Sequence, residues 1–423
     1  MITRPIEIFN TLTWQEKIVL FFVSMLYFLQ PFEWIDHRSA FFTLTVVGVL
    51  VFILHREILK KTGFWLYSTI IFLLVIPGIL SIWGSYNISK TLDFVYVFPA
   101  AYFAGIAIYS LLSNYRARQI LIGVIAVTST LWAVDGIVQG ICGVDILGNP
   151  LLGGKQVTGP FYKSTHMGIL ITVTLPVVLK WYSQFGLFFQ VVYILLIGYV
   201  LVLTGVRTDW VTFLAAIFLF YFCVKDLRKF FLFKVIPVAA VACVLALSVS
   251  PLAREKAERF VNIPTTYEGW NNKLTNRVYI YSTALNMGYR NPVNGVGAKA
   301  FNDAYVEYKL EGDWISPERN GGAFHAHHPW LSIFAESGFV GVISLLLICW
   351  LLIFATIRSR WKLNFYHYPW LLSFVLILNP VNSMLPLFEL WWFPVVLLVI
   401  IAHVVDVEYA NRVQVLKQDT SLK

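Results

Sequence analysis

Residues 325–357 read HAHHPWLSIFAESGFVGVISLLLICWLLIFATI. From Ser337 to Ile357 the stretch carries no charge. It is long enough for one helix to cross a bilayer, which takes about 20 residues. Ahead of it lies a polar boundary with three imidazoles, His325, His327 and His328. Groups that titrate near neutrality, set where water gives way to lipid, suit proton chemistry on a substrate with one polar and one lipid end.

The same apolar texture recurs along the chain. Of 423 residues, 58% are hydrophobic, 17% aromatic and 13% charged, whereas a soluble domain carries about 25% charged residues. The fold class is therefore an all-α polytopic membrane protein. Spans are predicted at 17–36, 39–55, 63–83, 93–113, 119–141, 165–182, 186–204, 209–224, 230–250, 337–357, 367–386 and 390–407, about twelve transmembrane helices of roughly 20 residues.

Lys and Arg set the orientation. Most of them, including Arg56, Lys60, Lys61, Arg116, Arg118, Arg358, Arg360 and Lys362, fall on the side that holds the N-terminus. The short turns of the other side hold only Arg38, Lys90, Lys155, Lys163 and Arg207. Both termini are thus expected in the cytoplasm. The net charge of +9 is mostly topological and gives no reason to invoke nucleic acid. Cys142, Cys223, Cys243 and Cys349 share no loop and form no C-x-x-C, so neither a disulfide nor a cysteine metal site is expected. The first sixteen residues lack the short apolar core of a cleavable signal.

One segment, 251–326, is too polar to span and too long for a simple turn; such loops are functional or disordered, and the recurring aromatic and aliphatic residues of this one, among them Phe260, Trp270, Tyr281 and Phe301, argue for order. The organisation is then 1–250 as spans one to nine, 251–326 as an extramembrane loop domain, 327–407 as a re-entry helix with the last three spans, and 408–423 as a tail. Inside the loop, 275–289 reads as a helix stopped by Asn291-Pro292, and 298–310 as a second amphipathic helix. Gly295-Val296-Gly297 is the turn between them.

Several side chains carry chemistry in this frame. Arg277 opens the first loop helix, either as a solvated cation or as an anion ligand, and Arg290, just past its end, could assist. Arg207, in LTGVRTD between two apolar spans, either snorkels to headgroups and pairs with Asp209 or presents a fixed charge to a cavity. Guanidinium binds phosphate oxygens in a planar fork, so an Arg pair suits a diphosphate. The His-x-His-His run admits a zinc site, a structural role, or a general base. Pro329 is well placed to open the returning helix, and the positive end of its dipole keeps a nearby imidazole neutral and able to take a proton. Glu336 either marks the interface or needs an Arg partner. Asp135, with Gln139 one turn on, is an intramembrane acid that is either packed or functional. Lys163 and His166 map to the same outer side.

Taken together, R-(x10)-G from Arg277 to Gly288, N-P-x-x-G-x-G-x-x-x-F from Asn291 to Phe301, and H-x-x-x-L-x-x-x-x-E-x-G-x-x-G resemble the O-antigen ligase/polymerase superfamily, the Wzy-C type domain. The resemblance is best over 195–345. Alignment on Leu331, Glu336 and Gly338 makes His327 the family histidine. The family places Asn after it and this chain has His328, so both imidazoles stay candidates. The resemblance implies a GT-C-like inner-membrane glycosyltransferase with a large periplasmic loop and a periplasmic active site. It would use a glycan on undecaprenyl diphosphate as donor, and lipid A–core or a growing glycan as acceptor, among membrane lipids. With one large loop, and no Arg in the earlier outside loop near 142–164, the chain is closer to a ligase than to a polymerase. In this reading His327 is the base and Arg207 and Arg277 hold the diphosphate. His328, Glu336, Arg290, Lys163 and Asp135 support them, and no metal or cofactor is needed. Polymerase and protein O-oligosaccharyltransferase activity are alternatives, as is, from a different class, a transporter of lipid-linked sugar.

Overall fold

In the computed structural model, the described residues are 9–32, 38–162, 164–222, 228–230, 232–233, 236–237, 248, 263–274, 277–313, 325–359, 367–381 and 392–421. Among them the chain is helical, and its extended pairings are isolated bridges, Val144 with Pro150 and Leu152 with Gln156. The first eight helices are α1 (Trp14–Phe28), α2 (Arg38–Leu54), α3 (Thr62–Leu80), α4 (Ile88–Ser113), α5 (Tyr115–Cys142), α6 (His166–Tyr182), α7 (Leu187–Thr204) and α8 (Arg207–Ile217). The loop segment contributes α9 (Tyr267–Lys273), α10 (Arg277–Arg290) and α11 (Phe301–Tyr308). The chain ends with α12 (Pro329–Arg358), α13 (Pro369–Ile377) and α14 (Phe393–Ser421).

Among the described residues seven helices, α3 to α7, α12 and α14, are long and apolar enough to cross a membrane. The expectation of about twelve is therefore met by long helices at seven positions. Shorter helices, α1, α2, α8 and α13, stand at four more, and the span expected at 230–250 lies almost wholly outside the described residues. The last helix does not stop at 407 but runs on to Ser421. α8 gives way to a π-turn over Phe218–Phe222.

Local chemistry fixes the ends. Thr13 and Glu16 form a capping box at α1, Asn87 accepts from the Lys90 amide at α4, and Gly143 closes α5 at φ 80°. Each satisfies backbone groups that a helix end leaves open. Along the spans the backbone must bond within itself, because hydrocarbon offers no partner. This is why the Val- and Ile-rich α14 is helical despite its β-branched residues. α14 lies inside the bundle against α3, α4 and α13, with Val396, Leu397 and Val399–Ala402 buried. α6 is buried from Met167 to Leu179.

The loop has a small core of its own. Ile280, Ala284, Met287, Val296, Phe301, Ala304, Tyr305 and Tyr308 pack with Ala326, Leu331 and Ala335. Two helices were expected here; α10 and α11 occupy shorter stretches of those positions, and α9 is an addition.

This core seats on a break in α12. Gly338 has φ 60° and ψ −155° inside the helix, a region open essentially to glycine. In an unbroken helix the amides of Phe339 and Val340 would bond the carbonyls of Ala335 and Glu336. Instead Phe339 donates to Pro292 at 2.7 Å and Val340 to Val293 at 3.2 Å. The freed carbonyls of Ala335 and Glu336 accept from the amides of Val296 (2.9 Å) and Gly297 (3.1 Å). Four backbone groups opened by the break are thus closed by the Asn291–Gly297 turn, as a buried break requires.

The turn is held from below by the α3–α4 connection. Tyr86 donates its amide to Val296 at 2.9 Å, Ser81 Oγ accepts from the Ala298 amide at 3.1 Å, and Thr91 donates to the Ala298 carbonyl at 2.9 Å. The glycines of the turn are there for approach. A Cβ on Gly295 would stand 2.3 Å from the Glu336 carbonyl carbon, and one on Gly338 2.5 Å from the Val293 carbonyl.

Candidate active site

Four helices begin with, or just after, the residues of interest. His166 opens α6, Arg207 opens α8, Arg277 opens α10, and His327 and His328 precede Pro329 at the start of α12. A helix N-terminus carries partial positive charge and free amides.

The site builds up from α10. Arg277 and Gly288 are eleven residues apart, about three helical turns, so they share one face. At Gly288 a Cβ would meet the Phe334 ring at 2.3 Å, so the bare backbone lets α10 lie flat on the first part of α12. That close approach carries Arg277, at the other end of the face, to the histidine segment. Tyr281, one turn after Arg277, reaches the same segment. Its hydroxyl donates to the His327 carbonyl at 3.4 Å and its ring meets the His328 ring edge-on with centroids 5.7 Å apart.

His328 is the N-cap of α12, its Nδ1 accepting from the Leu331 amide at 3.2 Å. That leaves only its Nε2 for other work. His327 takes a left-handed backbone, φ 51°, rare for a residue with a Cβ. The turn folds His327 back onto His325, with ring centroids 4.1 Å apart and planes tilted by 55°.

The cluster is cationic. Burial presses against the Arg277 charge; Tyr281 offsets this and neighbouring Arg207 adds to it. Burial, then His327, His166 and Arg277, push His325 down to about 3, so it is a neutral base at any ordinary pH. Burial also lowers His328. Arg207 is exposed and ties α8 to the loop by donating Nη1 to the Lys273 carbonyl at 3.0 Å. Two guanidiniums, neutral imidazoles and four helix N-termini make a place that favours an anion. Among the described residues no three His, Cys, Asp or Glu side chains group as metal ligands.

Residues 192–346 match the family model Wzy_C, described as O-antigen ligase. Over that stretch the chain is similar to this family. No curated protein matches the chain closely enough to add a relative. The Wzy_C stretch takes in Arg207, Arg277 and the histidine run, together with every glycine of the α12 break.

The structure thus brings Arg207, Arg277 and His327 into one neighbourhood, and adds His325, His166 and Tyr281. Other sequence candidates fall elsewhere. Arg290 is at the far end of α10, about 20 Å from Arg277 by helical rise, with its guanidinium 5.7 Å from the Tyr308 ring centroid. Glu336 is half-buried on α12 and gives its carbonyl to the break.

Asp135 Oδ1 accepts from the Ile146 amide at 2.7 Å. Gln139, one turn on, holds Thr158 and Gly159 through Oε1, each at 2.8 Å. The pair is a clamp for the α5–α6 loop that leads to His166. Lys163 lies outside the described residues. Asp209 does not pair with Arg207: both its carboxylate oxygens are buried without a hydrogen-bond partner, against Gly168. Sequence reasoning passed over Tyr281, although its i+4 spacing from Arg277 was a usable signal.

Proposed function

We propose that this protein is an inner-membrane glycosyltransferase that moves an O-antigen glycan from undecaprenyl diphosphate to a sugar hydroxyl of lipid A–core on the periplasmic face. What carries the reading is the meeting of Arg207 and Arg277 with the His325–His327 segment inside the stretch that matches Wzy_C.

In this mechanism the donor's diphosphate lies against Arg207, Arg277 and the surrounding helix N-termini. These groups offset the charge that grows on it as the glycosyl bond breaks. Fixed guanidinium charges supply the stabilisation that a metal would otherwise provide. His327 takes the proton of the acceptor hydroxyl as its oxygen attacks the anomeric carbon. His328 is the less suitable base, because one nitrogen caps α12. A single displacement inverts the anomeric centre.

Reconstitution with undecaprenyl-diphosphate-linked glycan, lipid A–core as sole acceptor and a chelator present tests the reading. Glycan joined to the core with inverted configuration is expected. Elongation of the donor's own glycan would assign a polymerase, and transfer to a peptide a protein O-oligosaccharyltransferase. No new glycosidic bond with any of these acceptors overturns the proposal and leaves the transporter class.

A further inference from the structure

We propose that His325 is a positioning residue that acts through His327: when His327 takes the acceptor's proton, His325 receives the new N–H, and the two imidazoles share that proton. The inference rests on the glycosyl-transfer reading above and extends it to a residue with no role there.

Three observations lead to it. The rings already touch, with centroids 4.1 Å apart, so a modest turn of either brings two nitrogens within hydrogen-bonding reach. Next, Nε2 of His325 is buried and has no hydrogen-bond partner among the described residues. Such an atom is costly to leave unsatisfied. In the tautomer that carries its proton on Nδ1, this nitrogen is an acceptor in reserve beside the base. Lastly, His327 is held at φ 51°, a left-handed backbone rare for a residue with a Cβ. Strain of this kind collects at functional sites.

The surroundings explain why a partner is needed. Acting on His325 are His327 from its own segment, Arg277 from α10 and His166 from α6, while Tyr281 stands against His328 and Arg207 from α8 acts on Arg277. Two fixed guanidiniums make a lone imidazolium on His327 unfavourable. A neighbour that stays neutral can spread the charge without adding to it. His328 cannot take this part with Nδ1, which is committed to the Leu331 amide.

In the step, the acceptor O–H bond breaks and its electron pair forms the bond to the anomeric carbon. The bond from that carbon to the diphosphate oxygen breaks, and its pair leaves with the diphosphate. The proton rests on His327, bonded to His325, and passes to water as product leaves.

The test uses the full chain in detergent. His325→Phe keeps a flat ring and removes the acceptor. It is expected to lower kcat about tenfold or more, with both KM values within about twofold. The acid limb of its pH profile should move to lower pH, because His327 without an acceptor is a weaker base. In His325→Ala, added imidazole should restore kcat, as it should not in His327→Asn.

Histidine NMR titration without substrate should show the His327 midpoint lower in His325→Phe than in wild type. Unchanged kcat, a change confined to KM, failure of imidazole to rescue, or an unmoved His327 midpoint each overturns the inference. The midpoint needs no turnover. If the wild-type protein forms no glycosidic bond, the functional reading fails on its own and the midpoint still decides whether the pair exists.

Discussion

The amide of Phe339 donates to the carbonyl of Pro292 at 2.7 Å, one residue past the point where Gly338 leaves helical geometry. A span and a loop far apart in sequence are joined there by backbone alone. Gly338→Ala and Gly295→Ala are therefore expected to destabilise the protein more than most loop substitutions. Gly338 sits at a backbone angle that costs about 1–3 kcal/mol for other residues, and in both variants the added Cβ meets backbone rather than a side chain that can swing away. Thermal unfolding in detergent should show a lowered midpoint for each. A Gly338→Ala midpoint equal to wild type would contradict the break.

His327→Asn is the better probe of the base than alanine, because Asn tolerates the left-handed backbone seen at φ 51°. Transfer should fall by about 100-fold or more while the unfolding midpoint holds. Retention of wild-type kcat would remove His327 from the chemistry.

Arg277→Lys and Arg207→Lys keep the charge and lose the planar fork. Each is expected to weaken donor use about tenfold or more in kcat/KM. Arg207→Lys should also loosen α9, since Arg207 Nη1 holds the Lys273 carbonyl. Faster proteolysis near 273 would register that second effect.

Asp135→Asn tests the transporter class. The amide oxygen can still accept from the Ile146 backbone as Oδ1 does at 2.7 Å, so a clamp survives the change and a proton relay does not. Transfer activity and stability within about 0.5 kcal/mol of wild type are expected. Complete loss of function with an intact fold would reverse the assignment.

Stability should rise with pH through the acid range. Burial holds His325 at about 3, against 6.5 for an ordinary histidine, so between these values the unfolded chain binds a proton that the folded chain refuses. Acid therefore favours unfolding, and the contribution is complete above about pH 6.5 and lost as pH falls toward 3. His325→Gln lacks this group. Its unfolding midpoint should drop less than that of wild type between pH 7 and pH 4, and an equal drop would show that His325 titrates normally.

What the sequence determined by itself is local and solvent-driven. Apolar runs with few charges leave no fold but membrane helices, because hydrocarbon provides no partner for an open backbone. Arg277-(x10)-Gly288 and the Gly295, Gly297 and Gly338 positions were legible as a pattern, and Pro329 as a helix start. The purpose of the glycines was not legible, since which backbone must pass close to which is a relation between segments far apart in the chain. The same holds for the site. Arg290 and Arg277 look alike in sequence, and only the docking of α10 on α12 sends one to the histidines and the other to Tyr308. Likewise nothing in HAHH tells which imidazole caps a helix, which is strained and which is buried neutral. Those roles follow from the break at Gly338, the Tyr281 contact and the guanidiniums nearby, all set by tertiary packing.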